Sequence, residues 1–443
     1  MKIKDLKLLN FGPFTECAVK LAPRTKNEGN VTIFVGNNGA GKTFLLKSLG
    51  ILLSWFVARV GSEKSKGRTI AESDITMGAL GAFLEVTAFD LGETYTWSLA
   101  RSKKGRKFDR KSALNALTSM AEQYRHKLSS QSEVSLPLFA FYPVERVVLD
   151  IPLRIKGTHD FEQLDGYDSA LSQGVDFRRF FEWFRRREDI ENEDGIPDQM
   201  IEYVQNIFKE KKDEQAWEKL KELQASSRDK QLTAVRRAVE TFMPEFSRLR
   251  VQRKPRLHMA LDKNGETFDV AQLSQGEKSL MALVGDIARR LAMMNPGLDN
   301  PLSGEGTVLI DEADLHLHPR WQRSLVANLV RTFPNCQFIM TTHSPLVISD
   351  QKGVACYLLD DGELTELEDL FGLDVNQVLL EAMDTEIRNE AVSHDLDRFL
   401  ECVQKGDVTG ARKICNALEQ VLPKNHIELI RARLMLKKMR VMY

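Results

Sequence analysis

The chain has 443 residues, of which 42% are hydrophobic and 28% are charged, and its formal net charge is −1. This composition is typical of a globular protein, and the length allows one elaborated nucleotide-binding unit or two modest domains. The near-zero net charge excludes nucleic-acid binding through bulk charge, so such binding would require a local cluster of basic residues.

The cysteines and the apolar stretches indicate the compartment. The five cysteines are scattered and form no Cys-x-x-Cys pair, which favours reduced thiols over a disulfide framework or a zinc ribbon. The first residues lack the apolar core of a signal peptide. Phe44–Val60 is the most apolar stretch, but it carries Lys47 and Arg59, which predicts a half-buried helix rather than a membrane span. We therefore expect a cytoplasmic protein without a membrane partner.

Near the start, β-like patterns at Lys2–Phe14 and Asn30–Val35 precede a glycine-rich loop and a long helix. The loop fits G-x-x-x-x-G-K-[ST] and comprises Gly36, Asn37, Asn38, Gly39, Ala40, Gly41, Lys42 and Thr43. In such a loop the backbone N–H groups surround phosphates, the lysine reaches the β and γ phosphates and the threonine hydroxyl ligates magnesium. The strand and the helix on either side disfavour the alternative, a glycine-rich turn with a stray lysine. The sequence therefore predicts a site for Mg²⁺ and ATP.

A predicted hairpin follows at Gly81–Asp90 and Thr94–Arg101, turning around Gly92. A run of basic residues begins at its end and comprises Arg101, Lys103, Lys104, Arg106, Lys107, Arg110 and Lys111. Such a run could contact several phosphates of DNA, but runs of charge are usually solvated surface. Both interpretations remain open.

The region from about Asp168 to Phe246 is charged and has helical periodicity, which predicts an inserted helical subdomain. Its length suits helical hairpins better than long coiled-coil arms. Further along, Ser274 and Glu277 have the spacing of a capping box at the start of a helix. A capped helix start with Gly276 in its first turn is also suited to binding an anion.

The apolar strand at Thr307–Asp311 ends in two carboxylates. Asp311 is the predicted magnesium ligand, and Glu312 is the predicted base that polarises the attacking water. His316 and His318 follow, and we interpret them as structural or dimer-interface residues rather than metal ligands, because no cysteine or third histidine is adjacent.

With these motifs in place, the chain resembles the ABC-type ATPases. Leu273–Glu277 matches their L-S-x-G-E signature, Asp314 matches the D-loop aspartate, and His343 in Thr341–Pro345 matches the switch histidine that senses the γ-phosphate. In that family the signature contacts ATP held by the opposite subunit. The resemblance therefore implies that Ser274, Gln275, Gly276 and Glu277 complete a site across a face-to-face dimer.

Other segments resemble the free-standing prokaryotic ATPases of anti-phage defence, of the Septu and retron-associated kind. The segments are Asn10–Phe14, Leu136–Arg146, Asp176–Asn192, Asp311–Gln322 and Pro423–Leu434. This resemblance implies a homo-oligomer and a separate HNH-type nuclease as partner. The chain itself shows no nuclease pattern. The sequence departs from the wider pattern after Tyr142, where Glu145 and Arg146 stand in place of the usual glutamine.

We thus predict an α/β fold, a two-lobed ABC-type head with a helical insertion and a helical tail. The predicted parts are residues 1–150, 151–246, 247–360 and 361–443. Two apolar faces are predicted docking sites for the partner: the one at Phe177, Phe180, Phe181 and Phe184, and the one at Ile427, Ile430, Leu434 and Val441, although core packing is the alternative for the second. Two other functions are considered, a nucleotide-gated scaffold with negligible hydrolysis and a DNA-repair head of the RecF or SMC-related kind.

Overall fold

A six-stranded sheet organises the first of two compact units, Met1–Gly372, and the second unit is Leu373–Tyr443. The computed structural model describes residues 1–23, 29–131, 133–144, 161–172, 176–194, 228–348, 352–367, 372, 390–422 and 427–442. The strands of this sheet are β3 (Val31–Gly36), β6 (Leu138–Tyr142), β10 (Gly306–Ile310), β11 (Cys336–Thr341), β12 (Ala355–Asp360) and β13 (Glu363–Leu367). Their order is β13-β12-β3-β11-β10-β6, and β13 alone in this sheet is antiparallel to its neighbour.

The central strands have the sequence of strands covered on both faces. Every residue of β3, β10 and β11 is buried, and their sequences are apolar runs rich in valine, isoleucine and phenylalanine. Such runs are typical of parallel strands with helices on either side. The sheet order places these three strands next to one another, so the segments that follow them share one edge of the sheet.

Two antiparallel sheets contain the other strands that the structure describes in this unit. One has the order β2-β1-β4-β5 and contains β1 (Lys2–Phe11), β2 (Phe14–Lys20), β4 (Gly81–Asp90) and β5 (Glu93–Ser102). The other contains β7 (Phe246–Gln252), β8 (His258–Lys263) and β9 (Glu266–Asp269). The pairing of Asp90 with Glu93 confirms the predicted hairpin around Gly92.

Helices lie between these strands along the chain. They are α1 (Lys42–Gly61), α2 (Asn115–Ser130), α3 (Phe177–Asp194), α4 (Lys230–Phe242), α5 (Gln275–Met294), α6 (Pro319–Thr332) and α7 (Pro345–Ile348). Helix α5 is the most enclosed of them, because it packs against α3, α4 and β6 and nearly all of its residues are buried. The combination of parallel sheet and helices confirms the predicted α/β fold.

Helix α1 corrects the expectation for the Phe44–Val60 stretch. By length and composition, this helix is apolar enough to cross a membrane. The sequence led us to expect otherwise, because Lys47 and Arg59 leave too few consecutive apolar residues for a membrane span. In the structure, 67% of its apolar window is buried inside the protein. Helix α1 thus packs as a core helix within this unit.

The aromatic face of α3 is part of the protein core. Phe177, Phe180, Phe181 and Phe184 are at most 4% exposed, and a Cβ atom at Gly285 of α5 would lie 3.0 Å from the Phe180 ring. The prediction that this face is a docking site for a partner is therefore wrong. An apolar stripe at helical spacing does not show whether its own chain, another chain or solvent covers that helix face.

The second unit contains the helices α8 (Glu390–Gln404), α9 (Val408–Val421) and α10 (Ile427–Met442). Its core includes Phe399, Leu418, Leu429 and Ala432. On α10 the buried face is therefore that of Leu429 and Ala432, whereas Ile430 and Leu434 of the predicted stripe are 43% and 55% exposed. The side chains of Ile427 and Val441 lie outside the described residues, as do residues 423–426 of the predicted helix break. The division of the chain into four parts stays a prediction.

Candidate nucleotide-binding site

Three predicted site segments meet at the carboxyl edge of the central sheet. The glycine-rich loop follows β3, the two carboxylates follow β10, and Thr341–Pro345 spans the end of β11. Because these strands are parallel neighbours, the ends of all three lie together. The sheet thus assembles residues that are far apart in sequence, although Gly36 to Thr43, Asp311 and His343 were each predicted from local patterns.

The glycine-rich loop has the backbone that its glycines allow. Gly41, the N-cap residue of α1, has a φ of 110°, and a Cβ atom there would lie 2.5 Å from the Pro13 side chain. Asn37, Asn38 and Gly39 are exposed at the top of the loop. Since the N-cap residue is glycine and the first turn holds no acidic residue, the helix N-terminus offers its N–H groups to an anion.

The turn between β1 and β2 supports this loop. Phe11 makes an edge-to-face contact with Phe44 of α1, with ring centroids 5.7 Å apart, and Pro13 packs against Gly41. From the sequence alone, Asn10–Phe14 was notable only because it resembles a segment of the anti-phage defence ATPases. The structure gives this segment a physical role, because it forms one wall of the loop.

The Lys42 side chain lies within the loop. Its ammonium donates hydrogen bonds of 2.9 Å to the backbone carbonyl oxygens of Gly36 and Asn37, and the residue is only 6% exposed. Burial lowers the pKa of Lys42, and the charges of Asp311 and Glu312 partly oppose that shift. An ammonium held by carbonyl oxygens of its own loop is well placed for phosphates bound there.

Asp311 is fixed through both of its carboxylate oxygens. Thr43 Oγ1 donates to Oδ2 over 2.7 Å, and Thr341 Oγ1 donates to Oδ1 over 2.5 Å. A hydroxyl that donates its proton still presents lone pairs, so Thr43 can face a metal ion while it holds Asp311. Among the described residues no group of three or more His, Cys, Asp or Glu side chains is arranged to hold a metal. One hydroxyl and one carboxylate nevertheless fit magnesium, which keeps several waters and takes its remaining ligands from phosphate.

Thr341 also positions the neighbouring Glu312. The backbone N–H of Glu312 donates to Thr341 Oγ1 over 2.8 Å, and Glu312 has a φ of 45°, in the left-handed region. One buried hydroxyl thus holds both the predicted metal ligand and the backbone of the predicted base. The sequence motifs placed Thr341 in the switch segment without a role. The role of Thr341 could have been inferred from a hydroxyl residue at the end of a strand that neighbours the strand leading to Asp311.

Asp314 and His343 are joined by the same edge of the sheet. Asp314 Oδ1 accepts hydrogen bonds from the Thr342 hydroxyl and from the backbone N–H of His343, the latter at 3.2 Å. Burial, together with the charge of Lys42, lowers the pKa of His343 below its ordinary value. The imidazole is therefore neutral at neutral pH, and the backbone of this residue is hydrogen-bonded to the D-loop aspartate.

The predicted signature forms the capped start of α5. Ser274 Oγ and Glu277 make the predicted capping box, in which Glu277 Oε2 accepts from the backbone N–H of Ser274 over 2.8 Å. Burial alone would raise the pKa of Glu277, but hydrogen bonds from Lys263 and Ser274 lower it. Ser274 and Gln275 are exposed, so they are accessible to a second molecule.

Gly276 brings the signature against the D-loop of its own chain. A Cβ atom at this position would lie 2.4 Å from the carbonyl oxygen of His316, which leaves space only for glycine. His316 is exposed, and His318 is the N-cap residue of α6, accepting a hydrogen bond from Arg320 N over 3.3 Å. His318 thus caps a helix, whereas for the exposed His316 the choice between a structural and a dimer-interface role stays a prediction.

Two other features of the sequence stay predictions. Glu145 and Arg146, which stand where a glutamine was expected, lie outside the described residues. The basic run continues from β5 as a largely exposed segment, in which Arg110 lies 5.3 Å from the Phe83 ring centroid. Exposure alone does not distinguish a DNA-binding segment from a solvated one.

Comparisons with known proteins agree with this geometry. The family model "AAA domain, putative AbiEii toxin, Type IV TA system" matches residues 103–349, and the model "AAA ATPase domain" matches residues 1–77. The chain is 32% identical to "Retron Vc95 probable ATPase" of Vibrio cholerae over 374 residues, covering 79% of this chain and 71% of that protein. It is also 32% identical to "Retron Ec83 probable ATPase" of Escherichia coli, covering 82% and 72% of the two chains.

More limited similarities extend the comparison. A 92-residue stretch is 42% identical to "Septu protein PtuA" of Bacillus mycoides, covering 20% of this chain and 12% of that protein. An SMC head bound to the C-terminal winged-helix domain of ScpA aligns with 83% of this chain and 98% of its own, at 15% identity and a TM-score of 0.45. The first family model covers more than half of the chain, and the retron relatives match most of it. The chain therefore belongs to the AAA ATPases, in the group that contains the retron ATPases.

Proposed function

We propose that this chain binds Mg-ATP at the carboxyl edge of its central sheet and hydrolyses it to ADP and phosphate. The observation that carries the proposal is the 2.7 Å contact between Thr43 Oγ1 and Asp311 Oδ2, beside the loop that encloses Lys42. These groups would bind magnesium and the β and γ phosphates. Magnesium, when bound, would neutralise charge on the phosphates.

Glu312 and His343 supply the remaining chemistry in this proposal. Glu312 follows the metal ligand directly and would polarise the attacking water, a role that contributes roughly 10²–10⁴ in rate. His343, neutral because its pKa is lowered, would hydrogen-bond the γ-phosphate or the water. Its link through Asp314 would make the position of the D-loop depend on the nucleotide.

We further propose that two heads close face to face around ATP. Ser274 and Gln275 are exposed at the start of α5, where the helix N-terminus attracts an anion. An ATP bound by the loop of one head would meet this surface of the other head. Closure of the pair would then depend on ATP.

We also propose a role in anti-phage defence, which the similarity to the retron and Septu proteins supports, and we place that role in the cytoplasm as a further part of the proposal. In this proposal the chain forms a homo-oligomer of head dimers, and ATP controls a separate HNH-type nuclease. Of the two predicted docking faces, only that of α10 remains, because Ile430 and Leu434 are exposed. A ligand can shift such an assembly only by its differential affinity for the two arrangements.

Hydrolysis is tested by separating binding from turnover. Lys42→Ala should weaken ATP binding by about 10–100-fold, because a hydrogen bond to a charged group contributes roughly 1.5–3 kcal/mol. Glu312→Gln should keep ATP affinity and lose turnover, and Lys64→Ala, at an exposed lysine outside the site, is the control. The measurements are equilibrium binding of labelled ATP and phosphate release. Wild-type turnover in Glu312→Gln would disprove the assigned role of this glutamate.

The partner is tested by plasmid cleavage with an HNH-type nuclease chain added to this one. Cleavage should require both chains and vary with ATP concentration, and Ile430→Asp should weaken it. Met77→Asp is the control, since Met77 is 98% exposed and lies outside α10. Cleavage by this chain alone, after contamination is excluded, would contradict the division of labour, and cleavage by the pair independent of ATP would contradict the nucleotide control.

A further inference from the structure

A fully buried polar cluster joins the signature helix α5 to the central sheet. Asp286 of α5 accepts hydrogen bonds from Tyr142 Oη at 2.9 Å, from Arg290 Nε at 2.7 Å and from Arg289 at 2.7 Å. All four side chains are at most 1% exposed. Nothing in the proposed hydrolysis uses them.

This cluster is costly to bury, because two guanidinium groups surround one carboxylate. Burial alone would raise the pKa of Asp286, but the charges of Arg290 and Arg289 lower it, so the carboxylate is ionised. Arg290 also donates to the backbone carbonyl oxygens of Gly166 and Asp168. Apolar side chains of similar volume would often be at least as stable as such a buried ionic cluster, so stability alone is a weak reason for it.

Tyr142 connects the cluster to the magnesium ligand. It is the last residue of β6 and pairs with Ile310, the last residue of β10. Its backbone carbonyl oxygen accepts the N–H of Asp311 over 2.8 Å, while its hydroxyl donates to Asp286. A single residue thus hydrogen-bonds both the signature helix and the backbone of the metal-binding carboxylate.

We propose that Tyr142 is a positioning residue that couples engagement of the signature to the placement of Asp311. This inference rests on the proposed hydrolysis at a shared dimer site. Helix α5 is continuous from its cap at Ser274 to Met294 and is buried along most of its length, so a shift at its start is passed on to Asp286. The Tyr142 hydroxyl passes that shift to β6, and the adjacent hydrogen bond passes it to Asp311.

The test compares two buried tyrosines that differ in what they connect. Tyr142→Phe removes the hydroxyl bonded to Asp286, and Tyr167→Phe removes a hydroxyl bonded to the carbonyl oxygen of Pro137 over 2.6 Å. Both side chains are buried, so both substitutions should lower the melting temperature, Tyr142→Phe the more because its hydroxyl bonds a carboxylate. We expect kcat to fall about tenfold in Tyr142→Phe, the change that corresponds to one hydrogen bond, with unchanged ATP affinity and ATP-driven dimerisation. Turnover in Tyr167→Phe should stay within twofold of wild type.

Equal slowing in both variants, normal kcat in Tyr142→Phe, or a loss confined to ATP affinity would each overturn the proposal. Failure of the proposed function is distinguishable, because the wild-type chain would then release no phosphate. A second measurement uses hydrogen exchange of residues 306–313 with a non-hydrolysable ATP analogue. Exchange should slow more in wild type than in Ser274→Arg, and this difference should vanish in Tyr142→Phe. Equal exchange in wild type and Ser274→Arg would refute the coupling even if Tyr142→Phe did not fold.

Discussion

Replacing Thr341 by valine should separate nucleotide binding from hydrolysis. The substitution keeps the shape of a fully buried side chain but removes the hydroxyl that holds Asp311 Oδ1 at 2.5 Å and the backbone N–H of Glu312 at 2.8 Å. A hydrogen bond to a charged group contributes about 1.5–3 kcal/mol and a neutral one about 1 kcal/mol. We therefore expect the free energy of unfolding to fall by about 2.5–4 kcal/mol.

The effect on turnover should be larger than the effect on binding. Without Thr341, Asp311 loses the hydrogen bond that holds Oδ1 and keeps the one from Thr43 to Oδ2. A misplacement of about 1 Å in a catalytic site can cost about 10²-fold in rate. We expect kcat to fall about 10–100-fold and the half-saturating Mg²⁺ concentration to rise. ATP affinity should change little, since the contacts of Lys42 are untouched.

Two further variants make this prediction specific. Thr341→Ser keeps the hydroxyl and should retain kcat within a few-fold of wild type, at a stability cost of about 1 kcal/mol for the lost methyl group. Thr307→Val makes the same change on β10, where Thr307 donates to Gln337 Oε1 over 3.1 Å, and controls for lost stability. The assays are phosphate release over a Mg²⁺ titration and thermal unfolding. Equal slowing in Thr307→Val, or normal turnover in Thr341→Val, would refute the positioning role of Thr341.

Three other predictions test the shared site, the signature and the switch histidine. A Ser274→Arg chain mixed with a Lys42→Ala chain should regain turnover, because one of the two shared sites is then intact, and inactive mixtures that still form mixed dimers would contradict the face-to-face arrangement. Gly276→Ala should lower stability by about 1–3 kcal/mol and slow turnover, because its Cβ would lie 2.4 Å from a backbone oxygen. The control is Gly61→Ala, where a Cβ has no neighbour within 4 Å. This control should leave thermal unfolding and phosphate release unchanged. Because burial and the charge of Lys42 lower the pKa of His343 in the folded state, its contribution to stability is present above the unfolded-state value of 6.5 and is lost as pH falls below it. His343→Gln should therefore flatten the fall in melting temperature between pH 7 and 5, and identical pH profiles would rule this out.

Local sequence patterns predicted the elements whose interacting residues lie close together in the chain. The loop from Gly36 to Thr43 and the capping box of Ser274 and Glu277 depend on residues a few positions apart, so their spacing is visible in the sequence. Helix faces were harder to interpret. The aromatic face of α3 and the Ile430–Leu434 face of α10 are both apolar at helical spacing, yet the first is buried and the second is exposed. What covers a helix face is decided by tertiary packing, which periodicity does not contain.

The contacts that assemble the site come from the order of the strands. Thr43 and Thr341 lie on segments that follow or end different strands, and they meet at Asp311 only because β3, β11 and β10 are adjacent. The sequence shows each hydroxyl but not its partner, since sheet order is a long-range property. One chemical rule would have helped to predict that these hydroxyls bond the carboxylate of Asp311. At an edge where carboxylates are close together, neutral hydroxyl donors can fix them without adding a cation that would compete with magnesium for the same oxygens.

The same rule explains why the hydroxyls occur in a row at the end of β11. Thr341 donates to Asp311, and Thr342 donates to Asp314. Next in the chain after His343, Ser344 donates to Gln322 over 2.8 Å, and Gln322 in turn donates to the backbone carbonyl oxygen of Leu317 over 2.9 Å. The segment after β10 is thus held at successive points by the segment after β11. A nucleotide that displaces His343 would therefore act on the D-loop through hydrogen bonds from uncharged donors to Asp314, each worth only about 1.5–3 kcal/mol. Bonds of this strength can be rearranged by ATP, whereas a buried ion pair at the same place would hold the D-loop in one position.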